Sequence, residues 1–374
     1  MKNKNVLILT MTCGEGHNAM AKSIANEITI LGGNAKICDI FETKPASKNM
    51  YNKSYLWACK YIPHLYEMVW TQQRKVNPEK LEKSPQVKQI KGVINHFKEV
   101  IEEFQPKAIV CVHNSAGAII AYLKKHNMID SSIKTITVAF DYVLCPYWNT
   151  NKYLDYCITP HEMLHKELLD VGFQENQLVC LGFPVNSKFY NRLDKQEIRN
   201  KLNLENKFTF FSIAGGNGLG NSLKLLKNIL KTKGDYQVIM VCGKNKKSKA
   251  QIDKYIEKNN IKNVYNFGFV NNINELMNAS DITFARGGGA GISESFYSGL
   301  PVIFRKGLII NEKLNKNIFV SKGCGLEIKK DSDVTKICQN LIDNPNIIKE
   351  MQQNIKSFVK PEPIIKIAKF ILQD

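Results

Sequence analysis

Short apolar runs alternate with amphipathic stretches along the whole chain. Val6 to Thr10, Ala35 to Ile40, Ala108 to Val112 and Ile133 to Ala139 have the length and character of buried strands. Between the first two, a helix is predicted over His17 to Leu31, with Ala19, Ala21, Ile24, Ala25 and Ile28 on one face and the Gly32-Gly33 pair ending it. Strand, helix, strand implies a parallel sheet. After Gly182, Phe183 and Pro184 comes a polar stretch, Asn186 to Asn200, and then the alternation restarts with Phe208 to Ile213, Gln237 to Val241, Asn263 to Phe267, Ile282 to Ala285 and Val302 to Phe304. Each series opens with a strand, a glycine loop and a helix. The expected class is therefore α/β, with two Rossmann-like domains facing a central cleft: residues 1–185, then 186–345. Residues 346–374 read as two helices divided at Pro361-Glu362-Pro363, a tail that crosses back to the first domain.

One segment breaks the alternation. Between Thr43 and Lys83, Tyr51, Tyr55, Trp57, Tyr61, Tyr66 and Trp70 are interleaved with Lys48, Lys53, Lys60, Arg74 and Lys75. Aromatic rings among lysines suit a lipid headgroup interface. The same pattern would also suit an inserted helical hairpin packed on a sheet edge.

Composition narrows the class without naming it. The chain has 374 residues, 44% hydrophobic and 23% charged, enough to bury cores of its own. No run approaches the roughly 20 apolar residues of a membrane span, and the opening MKNKNVLILT reads as a polar lead into a strand, not a signal peptide, so a cytoplasmic protein is expected. The net charge of +18 favours anionic partners, although the excess is nearly all lysine in a chain also rich in Asn and Ile, as biased codon usage would produce. Ten cysteines show no Cys-x-x-Cys pair and no histidine at zinc spacing, so reduced thiols and no metal centre are expected.

Three glycine loops, each after an apolar run and before a helix pattern, suit phosphate binding, because bare backbone lets an anion approach the amides of a helix start. They are Gly14 to His17, Gly215 to Gly220 and Gly287 to Gly291. The first also fits G-x-G-x-x-A, and Asp39 lies where the ribose-binding acid of a dehydrogenase would, but His17 and Glu15 crowd a turn that must admit a pyrophosphate. In the third, ARGGGAGISESFYSGLPVI, Glu294 falls early in the following helix, where its carboxylate can accept hydrogen bonds from a ribose diol while glycines cradle a diphosphate. A helix-start acid favoured by the dipole would look the same.

These residues resemble the nucleotide-sugar glycosyltransferases that include monogalactosyldiacylglycerol synthase, processive diacylglycerol glucosyltransferase and the lipid II-forming enzyme. The likeness is carried by TCGEGHNAMAKSI, VAFDYVLCPYW, LGFPVNSKF and GFVNNINELMNASDITFARGGGAGISESFYSGLPVI, and it spans most of the chain. It implies a GT-B fold with the acceptor on the first domain, a UDP-sugar mainly on the second, and no obligatory metal or other cofactor. By motif it implies that Glu294 binds the ribose, and that Gly288, Gly289 and Ala290 form the phosphate turn. Phe269 and Val270 would meet the uracil, Gly16 and Gly215, Gly216, Asn217 and Gly218 would line the donor site, and His17 would be the catalytic-site histidine. Two departures stand out: Cys145 replaces a histidine of some members, and Ala139-Phe140 replaces a threonine-containing lead into Asp141.

Sugar transfer to a hydroxyl needs a base and a means of stabilising the departing diphosphate. His17, with a near-neutral pKa, or Asp141 would be the base, Asp141 serving otherwise to orient His17. Arg286 would add charge at the diphosphate, unless it is ion-paired. His113, at a strand end, would bind acceptor or donor sugar, unless Asn114 and Ser115 there are only helix caps. The expected activity is transfer of a hexose from a UDP-sugar to a lipid hydroxyl, diacylglycerol above all, by a peripheral enzyme on the anionic inner face of the cell membrane. A UDP-N-acetylglucosamine epimerase, a transferase with a soluble acceptor and a basic nucleic-acid-binding module are the alternatives; no nucleic-acid motif is present.

Overall fold

The computed structural model describes residues 3–12, 16–42, 57, 61–73, 85–191, 193–213, 221–306 and 309–373. The described strands form two sheets, one in each of two compact units: Met1–Asn186 with Lys360–Asp374, and Ser187–Val359.

In the first unit the elements are β1 (Asn5–Thr10), α1 (Gly16–Ile30), β2 (Asn34–Asp39), α2 (Pro63–Gln73), α3 (Pro85–Phe104), β3 (Ala108–Cys111), α4 (Asn114–Lys125), β4 (Lys134–Val138), β5 (Tyr156–Thr159), α5 (His165–Asp170) and β6 (Leu178–Cys180). All pairings are parallel, in the order β2-β1-β3-β4-β5-β6. β1 lies between two neighbours, with Ile8 opposite Ile37 and Leu7 opposite Ile109, which is why its apolar run is continuous. Leu7, Leu9, Phe97, Ile109, Ile119 and Ile120 form the core on one face.

In the second unit come α6 (Lys195–Lys201), β7 (Phe208–Ile213), α7 (Ser222–Ile229), β8 (Tyr236–Val241), α8 (Lys246–Lys258), β9 (Val264–Phe267), α9 (Ile273–Asn278), β10 (Ile282–Ala285), α10 (Gly289–Tyr297), β11 (Val302–Phe304), α11 (Ile310–Ser321), β12 (Gly325–Glu327), α12 (Asp333–Asp343) and α13 (Asn346–Ile355). The sheet runs β12-β11-β10-β7-β8-β9, again all parallel. This is the doubly wound order associated with dinucleotide-binding folds.

The expected tail does not stay together. α13 buries Ile348 and Met351 in the core of the second unit, so residues 346–359 belong there. Only the last helix, α14 (Pro363–Leu372), packs on α1 of the first unit. The break falls at Pro361-Glu362-Pro363, where Glu362 takes a left-handed conformation and Pro363 supplies a preset first helical residue. Lys134 Nζ donates to the Phe370 carbonyl at 2.6 Å and Lys107 Nζ to that of Leu372 at 3.3 Å, placing cations at the negative end of α14.

Strand order fixes where ligands can sit. In open parallel sheets they bind beyond the carboxyl ends of the strands where the winding reverses. The reversal lies between β1 and β3 in the first sheet and between β7 and β10 in the second.

Candidate active-site elements in each unit

At the reversal point of the first sheet, α1 follows β1 and carries His17 in its first turn, while His113 follows β3. His17 Nδ1 lies 2.7 Å from the Val112 carbonyl oxygen. A carbonyl only accepts, so Nδ1 carries the proton and Nε2 keeps its lone pair. His113 is set the other way, because its Nδ1 accepts from the Ser115 amide at 3.0 Å, leaving the proton of a neutral ring on Nε2. The two rings meet edge to face at 4.7 Å, and Phe140 lies over His17 at 3.9 Å. One neutral ring can therefore accept a hydrogen bond and its neighbour can donate one, which suits a hydroxyl. Gly16 is required by the stack: a Cβ there would lie 2.4 Å from the Phe140 ring.

The expected near-neutral pKa of His17 is not what this setting produces. Burial between rings that carry no charge pushes the imidazole down to about 4, the Val112 carbonyl only partly opposing it. His113 is likewise pushed well down by burial and by His17. The orienting group on Nδ1 is the Val112 carbonyl, in place of Asp141. Asp141 is buried and receives a thiol contact from Cys145 at 3.7 Å, the residue that departs from the family pattern. Asp39, the acid that a dehydrogenase would aim at ribose, is taken up by the Thr12 hydroxyl and by the Phe41 amide at 2.9 Å.

At the reversal point of the second sheet, β10 ends in Ala285 and the chain passes through Arg286, Gly287 and Gly288 into α10. The glycines differ in purpose. A Cβ on Gly287 would lie 2.1 Å from the Glu312 carbonyl oxygen, so close packing of α11 excludes any side chain there. Gly288 and Gly291 have nothing within 4 Å of a Cβ and no positive φ, so neither packing nor conformation within the chain calls for glycine. What they keep is open main chain at the start of a helix, beside Gly289 and Ala290.

Glu294, in the second turn of α10, has no side-chain hydrogen bond among the described residues. Burial lifts its carboxyl to about 7, with Lys188 drawing it only partly back. Arg286, expected at the diphosphate, is instead gripped by Glu312 through Nε at 2.9 Å and Nη2 at 2.6 Å, so a carboxylate of its own chain balances its charge. Sequence reasoning missed this partner, which arrives on α11 with no local signal. Phe269 is exposed, with Lys244 Nζ 6.0 Å from its ring centroid, and Val270 is half-buried beside it.

The aromatic segment divides. Trp57 and Tyr61 are exposed with rings 5.9 Å apart, but Trp70 is buried and Tyr66 half-buried, so these two are packing residues and not surface anchors. The reason is helical spacing: Tyr66 and Trp70 share the inward face of α2, and Leu65, Met68 and Val69 share the outward face and are exposed. Those three apolar residues went unnoticed beside the aromatics, although their i, i+3, i+4 spacing was the signal. Tyr55, Gly215, Gly216, Asn217 and Gly218 lie outside the described residues.

Residues 17–185 match the family described as monogalactosyldiacylglycerol (MGDG) synthase, and residues 215–361 match the glycosyltransferase family 28 C-terminal domain. A processive diacylglycerol beta-glucosyltransferase of Bacillus licheniformis is 26% identical over 359 residues, covering 95% of this chain and 91% of the relative. Among solved structures, MurG of Acinetobacter baumannii aligns with a TM-score of 0.66 at 10% identity, over 98% of this chain and 99% of the other. A UDP-GlcNAc 2-epimerase of Neisseria meningitidis, bound to UDP-GlcNAc, aligns at 0.63 with 14% identity, over 99% and 100%. The fold is thus shared by transferases and epimerases, whereas the sequence relationship is to transferases. The chain is thus a glycosyltransferase whose residues 17–185 are similar to a monogalactosyldiacylglycerol synthase domain and whose residues 215–361 are similar to a family 28 C-terminal domain, on the GT-B fold.

Proposed function

We propose that this enzyme moves a hexose from a UDP-sugar to the hydroxyl of a diacylglycerol-type lipid at the inner face of the cell membrane. The observation that carries the donor half is Glu294: a half-buried carboxyl that makes no side-chain hydrogen bond among the described residues, one helix turn beyond open glycine backbone. Such a carboxyl is stabilised by hydroxyl donors, and the vicinal hydroxyls of a ribose supply two. The phosphates of the same nucleotide would then meet amides and the positive end of α10, with no metal required.

His17 is the proposed base. Its Nε2 would take the proton of the acceptor hydroxyl while His113 Nε2–H holds the same oxygen. The oxygen attacks the anomeric carbon with inversion, and UDP leaves with the bonding pair. A base held neutral by burial remains available across the physiological pH range. For the lipid, the outward face made by Tyr61, Leu65, Met68 and Val69, with Trp57, would rest in the headgroup layer, and lysines near an anionic surface would each add about 1 kcal/mol. Among the described residues no helix is long and apolar enough to cross a membrane.

Incubation of the protein with labelled UDP-glucose, UDP-galactose and UDP-N-acetylglucosamine in the presence of diacylglycerol vesicles tests the proposal. Labelled glycolipid from one donor is expected. Donor converted to another UDP-sugar without any lipid would favour epimerisation, and label in a water-soluble product would move the acceptor away from lipid.

A further inference from the structure

This chain uses arginine five times against 47 lysines, and the three in the second unit that the structure describes are all at least partly buried. Two are fully provided for. Arg199 donates to the Ala279 carbonyl, Asn206, Thr209 and Asp281. Arg286 is clasped by Glu312. Arg305 is the exception: only 8% of its surface is exposed, its Nη1 is buried without a hydrogen-bond partner, and its side chain forms no ion pair among the described residues.

Its place is informative. Arg305 is the residue immediately beyond β11, and its amide donates to the Ala285 carbonyl at 3.0 Å, which fixes it beside the end of β10. Its guanidinium lies close enough to Arg286 to be disfavoured by it, and within electrostatic reach of Cys242 at the end of β8. The charge therefore sits over the carboxyl ends of the second sheet, on the ligand side, flanked by a second cation whose carboxylate is already used. Burying a guanidinium without an acceptor is costly, and here burial and Arg286 draw its pKa down to about 10. An arriving oxyanion would remove both penalties at once, and a planar fork of donors is suited to phosphate oxygens.

We propose that Arg305 is the charged anchor of a phosphate-binding site at the carboxyl edge of the second sheet, taking the diphosphate of a nucleotide donor or, equally by its chemistry, free pyrophosphate. The nucleotide form of the proposal rests on the UDP-sugar reading above, and the pyrophosphate form does not.

Calorimetry on the full-length protein separates the two, with UDP, uridine and inorganic pyrophosphate as titrants against the wild type, Arg305→Lys and Arg305→Met. The methionine variant is expected to lose UDP and pyrophosphate affinity about 10- to 100-fold while uridine binding stays within about twofold, with lysine in between. UDP bound undiminished by Arg305→Met overturns the anchor and leaves the nucleotide reading intact. Pyrophosphate bound in an Arg305-dependent way by a protein that ignores UDP keeps the anchor and overturns the nucleotide reading. Equal losses for UDP and uridine mean that Arg305 only supports the fold, which also overturns the proposal. Should Arg305→Met not fold, the Nε resonances of the wild type labelled in its five arginines replace it, the signal absent in Arg305→Lys being that of Arg305. That signal must move with pyrophosphate and UDP and stay still with uridine, and a signal unmoved by both phosphates overturns the proposal.

Discussion

His17 and Glu294 occupy matching places in the two units: each sits early in a glycine-led helix that follows a strand at the winding reversal. Burial moves both toward neutrality, and in doing so inverts their usual order. The imidazole falls to about 4 and the carboxyl rises to about 7. The difference lies in their partners. His17 is finished by its own chain, with Nδ1 on Val112 and a ring on either side, so one tautomer in one orientation is available before any ligand arrives. The Glu294 carboxyl makes no hydrogen bond among the described residues and is completed only by something that brings donors. A preset group suits a chemical step, and an unfinished one suits recognition.

The sharpest break in this comparison is kinetic. His17→Ala should lower kcat by about 10²- to 10⁴-fold, the range of a lost general base, with little change in UDP affinity. Glu294→Ala should do the opposite, weakening UDP by about 10- to 100-fold as two hydroxyl contacts disappear while kcat at saturating donor holds up better. Steady-state rates paired with UDP calorimetry decide it. If the histidine variant loses nucleotide affinity and the glutamate variant does not, the two roles have been assigned the wrong way round.

A smaller effect concerns pH. For His17 the folded pKa lies below the usual 6.5, so the first unit is unpenalised above 6.5 and loses stability as pH falls from there to about 4. For Glu294 the folded pKa lies above the usual 4.5, so the second unit is unpenalised below 4.5 and loses stability as pH rises toward 7. Each shift corresponds to about 3 kcal/mol at most, less where water still reaches the group. Between pH 4.5 and 6.5 the slopes therefore oppose each other. Hydrogen exchange, corrected for its intrinsic pH dependence, should show α1 gaining and α10 losing protection across that window. His17→Gln should flatten the first trend and Glu294→Gln the second; parallel trends in the two helices would mean that burial is not what sets these groups.

How much of this was legible in the sequence depended on distance along the chain. Phe208–Ile213, Ile282–Ala285 and Val302–Phe304 are strands where the apolar runs placed them, because each is a buried, uninterrupted run. β5, β6 and β12 were missed; they are as short as β10 and β11 but less buried, with a half-buried Tyr156 opening β5, all of β6 half-buried and only Gly325 of β12 buried, so no continuous apolar run marks them. The identity of His17 was legible from the glycines before it. Its depressed pKa was not, since Phe140 and His113 reach it from the ends of β4 and β3, about a hundred residues on. Arg286 was visible beside its glycines, but Glu312, which neutralises it, stands on another helix. The glycine run itself could not reveal that Gly287 serves packing while Gly288 serves an open surface.

The smallest expected effects belong to α2, where the comparison is between two faces of one helix. Tyr66 and Trp70 point inward, and Leu65, Met68 and Val69 point outward. Replacing an outward residue, as in Met68→Ser, removes apolar area that only a lipid surface would bury. Vesicle affinity should fall by about 1 kcal/mol, roughly fivefold, with thermal stability unchanged. Trp70→Ser should instead lower thermal stability, because it opens a cavity where the ring is now buried. Sedimentation with vesicles of rising anionic lipid content, run beside thermal unfolding, separates the two. If Met68→Ser leaves vesicle binding intact while Leu65→Ser and Val69→Ser also do nothing, the outward face is not what meets the membrane, and the lysines must carry attachment alone. In that case binding should vanish at high salt, whereas an apolar face would retain part of it.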